Sequence, residues 1–218
     1  MAYPKQVSSY GVRVFYHPAD LRRPAEIQDL FDTIYQRFGR LDILVNNAGI
    51  QCVCPIKLLS REDWNAVIET NLTAPFLCSQ QALRIFETQG AGGCIINIAS
   101  THGLVGSVDK VAYVAAKHGV VGLTRGIALE YARTKIICNA ICPGFTETPL
   151  VRQQIAGRAQ QNGMTGEDAR RALVEGKHSS GNFIQTEHIA RCVIFLCSSA
   201  ASEMRGSCLT IDGGWTVQ

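Results

Sequence analysis

The segment Tyr113-Val-Ala-Ala-Lys117 places a phenol and a primary amine four residues apart. On a helix, this spacing puts both side chains on the same face. A phenol has an unperturbed pKa of about 10, so a tyrosine that exchanges protons near neutral pH needs a neighbouring cation to favour its phenolate. The pair therefore predicts an acid/base site, and an ordinary amphipathic helix with an exposed lysine is the alternative.

Three apolar runs each end in residues that could line a ligand site. Continuous apolar runs are typical of strands buried on both faces of a parallel sheet. The carboxyl ends of such strands meet at one edge of the sheet, where open α/β sheets bind ligands. A serine hydroxyl at this edge can hold a carbonyl oxygen, although a serine after a strand is commonly only a turn or a helix cap. The residues in question are Asn46-Asn47-Ala48-Gly49, Ser100 and Pro143-Gly144.

Apolar runs alternate with segments of helical periodicity along most of the chain. We predict strands at Val12 to Tyr16, Asp42 to Asn46, Cys94 to Ala99, Ile136 to Ile141 and Cys208 to Ile211. We predict helices with the apolar face Ile27, Leu30, Phe31, Ile34 and Phe38, and at Trp64 to Phe86, Tyr113 to Ala132 and Glu187 to Ser198. The polar segment from Gln153 to Gly181 is interpreted as a helical lid or substrate loop. The alternation predicts an α/β layer fold with a parallel sheet.

The bulk composition indicates a folded protein that acts on a small molecule. The chain has 218 residues, of which 46% are hydrophobic and 18% charged, and the length suits one domain over residues 1–218. The net charge is only +3, and its lysines and arginines are interspersed with acids. This distribution argues against nucleic acid and anionic membranes as partners.

The nine cysteines lie mostly within apolar runs such as Cys94-Ile-Ile. Because Cys52/Cys54 and Cys138/Cys142 lack the spacing of zinc ligands, we expect small buried thiols, no metal site and a reducing compartment. The sequence shows no basic-then-apolar leader and no run near the roughly 18 apolar residues that a membrane span needs. We therefore expect a cytoplasmic protein.

From Phe15 to its end, the chain resembles the short-chain dehydrogenase/reductase family. The shared elements, in the same order, are Asn-Asn-Ala-Gly, a catalytic Asn, Ser, Tyr-x-x-x-Lys and Pro-Gly. The resemblance implies that Asn71 is the catalytic asparagine and that Ser100 polarises the substrate oxygen. It also implies that Tyr113 exchanges the proton, while Lys117 holds the nicotinamide ribose and lowers the pKa of Tyr113. Hydride then moves directly between nicotinamide and substrate, without a metal.

The same resemblance implies NAD as the cofactor and assigns the residues that would hold it. Asp20 and Leu21 resemble the pair beside the adenine, and Tyr113 and Lys117 face the nicotinamide ribose. The remaining contacts to ribose and nicotinamide are assigned to Asn47, Ala48, Gly49, Pro143, Gly144, Phe145 and Thr148. The residue that selects NAD over NADP in the family is not found in this sequence.

Within the family, several segments resemble the group of bacterial 3-hydroxybutyrate dehydrogenases, among them His17-Pro-Ala-Asp-Leu, Ser100-Thr-His-Gly-Leu and Asp212-Gly-Gly-Trp. This resemblance implies that the substrate carboxylate is bound by Gln51, His102, Lys110 and Gln154. One cation, one imidazole and two amides can clamp a small anion. The alternatives are a loop cap at His102, a turn at Gln51, and solvated side chains at the other two. Phe145 stands where the group usually has Trp, so substrate packing is expected to differ.

The family's opening strand, Gly-rich turn, helix and second strand have no counterpart in this sequence. Gly90-Ala-Gly-Gly93 leads into a strand rather than out of one, so it is not a displaced phosphate cradle. We therefore expect a Rossmann-like, doubly wound sheet truncated at its N-terminal side. The strand at Val12 to Tyr16 would then pair directly with that at Asp42 to Asn46. An exposed apolar patch and weakened pyrophosphate binding should follow.

Three functional hypotheses follow from these features. The first is an NAD-dependent oxidoreductase that interconverts 3-hydroxybutyrate and acetoacetate. The second is another family enzyme, such as a 3-oxoacyl reductase, against which His102, Lys110 and Gln154 argue because they suggest a free carboxylate. The third is a non-catalytic oligomerisation or regulatory subunit, against which the intact Asn71 and Tyr113 argue. The resemblance further implies a homotetramer.

Overall fold

A computed structural model describes residues 7–218, so residues 1–6, where the search for a leader began, lie outside the described part. Within it, four parallel strands form one sheet in the order β1-β2-β3-β4. They are β1 (Ile43–Asn46), β2 (Gly93–Ile98), β3 (Ile136–Pro143) and β4 (Cys208–Ile211). All four carboxyl ends therefore lie along the same edge.

One helix precedes β1, and the others lie in the connections between the strands. They are α1 (Pro24–Phe38), α2 (Arg61–Ile68), α3 (Ala74–Gln89), α4 (Val111–Glu130), α5 (Pro149–Asn162), α6 (Gly166–Val174) and α7 (Thr186–Leu196). These elements confirm the predicted helical segments, except that the one helix predicted at Trp64 to Phe86 is divided into α2 and α3. The segment interpreted as a helical lid contains most of α5 and all of α6. The strand–helix alternation confirms the α/β fold class.

Helices cover both faces of the sheet, as the side-chain alternation of β2 shows. Ile95 packs in a core on one face with Ile27 of α1 and Phe86 of α3. Its neighbour Ile96 packs on the opposite face with Leu196 of α7. Successive side chains on a strand point to opposite faces, so a strand that is apolar at both positions requires cover on both sides.

The strand predicted at Val12 to Tyr16 is wrong, and so is its expected pairing with β1. The structure assigns no strand between residues 12 and 20, and Tyr16 is exposed. The segment instead contacts the end of α1, where Arg37 lies 4.1 Å from the centre of the Phe15 ring. A β-rich composition describes residues that fit a pleated surface, and it does not supply a neighbouring strand.

Strand β1 presents the apolar surface that the sequence analysis expected. Ile43 is 46% exposed and Val45 is 40% exposed, whereas Ile95 and Ile96 in β2 are fully buried. A shallow groove beside β1 is lined by apolar side chains that include Leu30 and Ile34 of α1. The expected exposed patch is thus present at this side of the sheet.

A widened helical turn joins α2 to α3. Residues Glu69–Thr73 form a π-helical turn, directly before Pro75 in the first turn of α3. A proline has no N–H and its ring clashes with the carbonyl four residues earlier, which here belongs to Asn71. The wider π turn relieves this clash, and such turns often occur at functional sites.

All nine cysteines are free thiols. Cys78, Cys94, Cys138 and Cys142 are buried, which confirms the prediction of small core residues for these four, and the other five are partly exposed. Burial raises the pKa of the Cys78 thiol to about 11 and that of Cys138 to about 12. Across residues 7–218, every helix is too short or too polar to cross a membrane.

Candidate active site

A cavity of about 390 Å³ opens at the carboxyl ends of the strands. It brings together thirteen of the residues singled out in the sequence, and its walls contain neither Asp nor Glu among the described residues. The predicted residues that line it are Asn47, Gly49, Gln51, Ser100, His102, Lys110, Tyr113, Lys117, Pro143, Gly144, Phe145, Thr148 and Gln154. The cavity is therefore positively charged as well as concave.

Tyr113 lies in the first turn of α4, and its phenol faces Ser100. Burial raises the pKa of Tyr113, and a hydrogen bond with Ser100 acts in the opposite direction. The family resemblance implies that Lys117 lowers this pKa, but in the protein alone burial dominates and the pKa is raised. The Lys117 Nζ lies 5.6 Å from the centre of the Tyr113 ring and is engaged elsewhere.

Lys117 projects from the next turn of α4 into the protein interior. It is only 5% exposed, and its Nζ donates a hydrogen bond of 2.7 Å to the carbonyl oxygen of Ile98 at the end of β2. Burial lowers the pKa of Lys117 to about 8. One N–H is thus fixed on the strand end, and the other two remain for a ligand in the cavity.

Asn71 is fully buried in the π turn, outside the cavity wall. Its Oδ1 accepts a 2.8 Å hydrogen bond from the N–H of Ile50, and its Nδ2 donates one of 2.8 Å to the Ile50 carbonyl. A Cβ built on Gly49 would lie 3.3 Å from Asn71 Oδ1 and 3.9 Å from Lys117 Nζ. Asn71 therefore holds the loop after β1 close to Lys117.

His102 also lines the cavity and is 4% exposed. Its N–H donates to Ser100 Oγ at 3.1 Å, and its Nδ1 lies 3.5 Å from the same oxygen. Its buried Nε2 has no hydrogen-bond partner among the described residues. Burial, followed by the charges of Lys110 and Lys177, lowers the pKa of His102 to about 3. A neutral imidazole with one unsatisfied nitrogen calls for a ligand.

Three further predicted residues surround His102. Lys110 precedes α4, and burial together with the charge of Lys177 lowers its pKa to about 8. Gln154 in α5 donates from its Nε2 to the Oε1 of Gln51, so the two amides are already aligned. The structure therefore groups the four side chains predicted to bind a carboxylate, with Lys110 close enough to His102 for its charge to lower the pKa of the imidazole.

The predicted cofactor residues divide between two neighbouring cavities. Leu21 and Ala48 line the apolar groove beside β1, and Asn47 lines both this groove and the main cavity. Asp20 lies in the wall of neither. Its carboxylate pairs with Arg22 at 2.8 Å, which lowers the pKa of Asp20 to about 2.

A cluster of aromatic rings forms one cavity wall, in which the predicted Phe145 is joined by Trp215 and His178, to which no role was assigned from the sequence. Trp215 stacks on Phe145 with ring centres 5.1 Å apart and also meets His102 at 5.1 Å. Behind Phe145, the buried His178 accepts a 2.9 Å hydrogen bond from the Phe145 N–H through its Nε2. Trp215 had a signal in the Asp212-Gly-Gly-Trp segment, although no role was assigned to it, and His178 carried none.

Comparison with known proteins identifies the family. A family model described as enoyl-(acyl carrier protein) reductase matches residues 3–216. The D-beta-hydroxybutyrate dehydrogenase of Cupriavidus necator is 49% identical over 208 residues, covering 95% of this chain and 80% of that protein. The chain belongs to the short-chain dehydrogenase/reductase family. As a member of this family, it is an oxidoreductase.

Other short-chain dehydrogenases/reductases match over a similar range. The D-beta-hydroxybutyrate dehydrogenase of Rhizobium meliloti is 42% identical, with 94% of this chain and 79% of that protein covered. Among solved structures, a 4-hydroxyisoleucine dehydrogenase complexed with NADH superposes with a TM-score of 0.82 at 33% identity. That match covers 91% of this chain and 78% of the other. The likeness confirms the Rossmann-type dehydrogenase fold.

Proposed function

We propose that this protein interconverts 3-hydroxybutyrate and acetoacetate with NAD as the hydride carrier. The observation that carries the proposal is the unsatisfied Nε2 of His102, beside Lys110 in a cavity without acidic side chains. In the tautomer that carries its proton on Nε2, this imidazole is a buried donor without a partner. Such a donor costs about 1–3 kcal/mol, so a bound group that accepts its hydrogen bond is favoured. The carboxylate of a short oxo acid is such a group.

The cavity wall offers two kinds of polar group. Ser100 and Tyr113 present hydroxyl groups that can hold a carbonyl oxygen. Lys110, Gln51 and Gln154 present an ammonium and two amides that can hold a carboxylate. A molecule with a carbonyl and a carboxylate a few bonds apart suits both sets of groups, which favours a short 3-oxo acid over a long acyl thioester.

In the reduction, Ser100 donates a hydrogen bond to the substrate carbonyl oxygen and polarises it. Tyr113 then donates its phenolic proton to that oxygen as the carbonyl carbon becomes tetrahedral, and the phenolate regains a proton from solvent. Oxidation runs the same transfer in reverse, with the Tyr113 phenolate taking the hydroxyl proton. Lys117 is assigned to the ribose in this proposal, because in the protein alone its ammonium is bonded to the Ile98 carbonyl and the Tyr113 pKa is raised.

The residues around Lys117 fit the nicotinamide and ribose of a dinucleotide. Lys117 retains two N–H groups for ribose hydroxyls, and a Cβ on Gly49 would crowd Asn71 and Lys117 where the ribose would lie. Pro143, Gly144 and Thr148 line the same wall for the nicotinamide. When bound, NAD accepts the hydride from the alcohol carbon and NADH returns it. Two solved structures of the similar 4-hydroxyisoleucine dehydrogenase are complexed with NADH.

The adenine end is expected to bind more weakly than the nicotinamide end. Asp20 is tied to Arg22, and the groove containing Leu21 and Ala48 is apolar. Main-chain donors at a helix N-terminus are the usual pyrophosphate contact. Those of α1 follow Arg23 and Pro24 without a glycine-rich turn, so we expect modest dinucleotide affinity.

We also propose that the protein assembles as a homotetramer through the helices that carry the site. Large apolar side chains on these helices face solvent in the single chain, namely Trp64, Phe76, Leu129 and, on α7, Ile194 and Phe195. Exposed apolar patches commonly mark association surfaces. Light scattering behind a sizing column would show a tetramer, and a concentration-independent monomer would refute this part of the proposal.

The first experiment is NADH titration by calorimetry, followed by reduction of acetoacetate, its methyl ester and a 3-oxoacyl thioester. We expect NADH binding and a preference for acetoacetate over both uncharged substrates. A preference for the thioester would instead support a 3-oxoacyl reductase. A folded protein that neither binds NADH nor turns over any substrate would overturn the proposal and favour a non-catalytic subunit.

A further inference from the structure

Lys177 lies in the loop after α6, and contacts of its own backbone hold it beside the cavity. Its N–H donates to the carbonyl of Val174 at 3.0 Å, and its carbonyl accepts from Nε2 of Gln218 at 3.0 Å. The next residue, His178, is 3% exposed and also donates from Nδ1 to the Asn182 carbonyl at 2.6 Å. The placement of Lys177 therefore does not depend on its ammonium group.

The Lys177 side chain turns toward the aromatic wall of the cavity. Its Nζ lies 4.6 Å from the centre of the Trp215 ring and 5.8 Å from that of Phe145. The Nζ of Lys110 lies 5.5 Å from the same Phe145 ring. Ring faces attract cations, which explains why each amine rests there. Lys110 is part of the cavity wall, and Lys177 approaches the same aromatic rings from beside the cavity without itself lining it.

No acidic side chain balances these two charges in the described part of the chain. Neither Lys110 nor Lys177 takes part in an ion pair there, and the cavity wall has no Asp or Glu. The charge of Lys177 helps to lower the pKa values of both Lys110 and His102. Like charges held close in a partly buried site repel each other, and a bound anion relieves that repulsion.

We propose that Lys177 is a specificity-determining residue, the second cation that receives the substrate carboxylate together with Lys110. The inference rests on the proposed function, because it assigns the carboxylate end of the same cavity. It explains how the site would distinguish a short oxo acid from an uncharged ketone of equal size. With two ammonium groups at that end, loss of one lowers the affinity without abolishing the reaction.

The competing explanation is that Lys177 only packs against Trp215. Lys177→Met separates the two, because methionine keeps an unbranched stem over the ring and removes the charge. Lys177→Arg keeps the charge and should retain most of the effect. Lys135→Met is the matched control, since Lys135 precedes β3 at the amino end of the strand, away from the cavity.

The test measures acetate binding by calorimetry, and KM and kcat for acetoacetate and its methyl ester, in all four proteins. In Lys177→Met we expect acetate affinity to fall and the KM for acetoacetate to rise, each by about tenfold, the size of one charge-assisted contact. We expect kcat and the kinetics of the methyl ester to stay unchanged. Lys177→Arg should lie near the wild type, and Lys135→Met should match it.

Unchanged acetate binding and unchanged acetoacetate KM in Lys177→Met would overturn the inference and leave the proposed function standing. An equal loss for acetoacetate and its methyl ester would also overturn it, because the defect would then be independent of charge. A wild type that binds acetate through Lys177 but does not reduce acetoacetate would refute the proposed function and retain the carboxylate site. A wild type that binds no acetate would overturn the inference itself.

Discussion

Asn71 and Ile50 exchange two hydrogen bonds of 2.8 Å, one from the Ile50 N–H to Asn71 Oδ1 and one from Asn71 Nδ2 to the Ile50 carbonyl. The Asn71 amide thus makes with the backbone of Ile50 the two hydrogen bonds that a neighbouring strand would otherwise make. This pairing connects the π turn to the loop that carries Gly49 and Gln51, so it connects the helix pair to the cavity.

Asn71→Ala should destabilise the protein more than an ordinary surface change. It removes both hydrogen bonds to Ile50 and leaves a void where a fully buried side chain stood, which costs about 1–3 kcal/mol in unfolding free energy. Urea unfolding followed by circular dichroism measures the change. The control is Asn65→Ala, because Asn65 is exposed on α2 and should change stability by less than about 0.5 kcal/mol. Equal stability of both variants would contradict a bracing role for Asn71.

Tyr113→Phe should lower kcat for acetoacetate reduction by about 10²- to 10⁴-fold, because the proton donor is lost. The ring that contacts His102 remains, so the melting temperature should change little. Tyr131→Phe is the matched control. It removes a phenol just beyond α4, where the hydroxyl bonds to Glu87 at 2.6 Å, far from the cavity. Full activity in Tyr113→Phe would refute the assignment of Tyr113 as the proton donor.

Binding of a carboxylate should weaken as the pH rises through about 8. Burial and the charge of Lys177 lower the pKa of Lys110 to about 8, so Lys110 is charged below that pH and neutral above it. Between pH 5 and 7 the affinity should be flat, because His102, with a pKa lowered to about 3, stays neutral there. Acetate titrations from pH 5 to 10 test both statements. In Lys110→Arg the loss at high pH should largely disappear; persistence of the full loss would assign it to another group.

Two glycines should respond in opposite directions to replacement by alanine. A Cβ at Gly144 would overlap Nε2 of His178 and approach the Asp212 Cα to 3.0 Å, so Gly144→Ala should cost about 1–3 kcal/mol. Gly157 lies within α5 with open space around its Cβ position, so Gly157→Ala should stabilise by about 0.5–1 kcal/mol. Thermal melts of the two variants give the comparison. A neutral Gly144→Ala would show that His178 moves freely.

Local patterns were sufficient to predict the sheet strands but not every apolar segment. The run from Asp42 to Asn46 is apolar and ends in Asn and Gly, and it forms β1 next to β2. Val12 to Tyr16 has similar residue types, and it packs on α1 instead. The difference is tertiary, because a strand requires a partner whose position its own residues do not encode.

The site shows the same division between local motif and tertiary arrangement. Tyr113 and Lys117 were predicted from their spacing, since helix geometry alone puts them on one face. Lys177 and His178 lie in a polar loop without periodicity, so no local signal marked them. The π turn at Asn71 was also missed, although Pro75 within a helical pattern indicates an irregularity at that point.

The ring stack of Trp215 on Phe145 gives the protein an optical reporter at its cavity. The chain has two tryptophans, and the other, Trp64, lies partly exposed on α2. Trp215 sits against a cation and two imidazoles, so its emission responds to any molecule that displaces water or charge beside it. Replacing Trp64 by Phe would leave Trp215, in the cavity wall, as the single indole. Trp215 could also transfer excitation energy to a reduced nicotinamide bound nearby. Ligand entry could then be timed in a stopped-flow instrument without any added label.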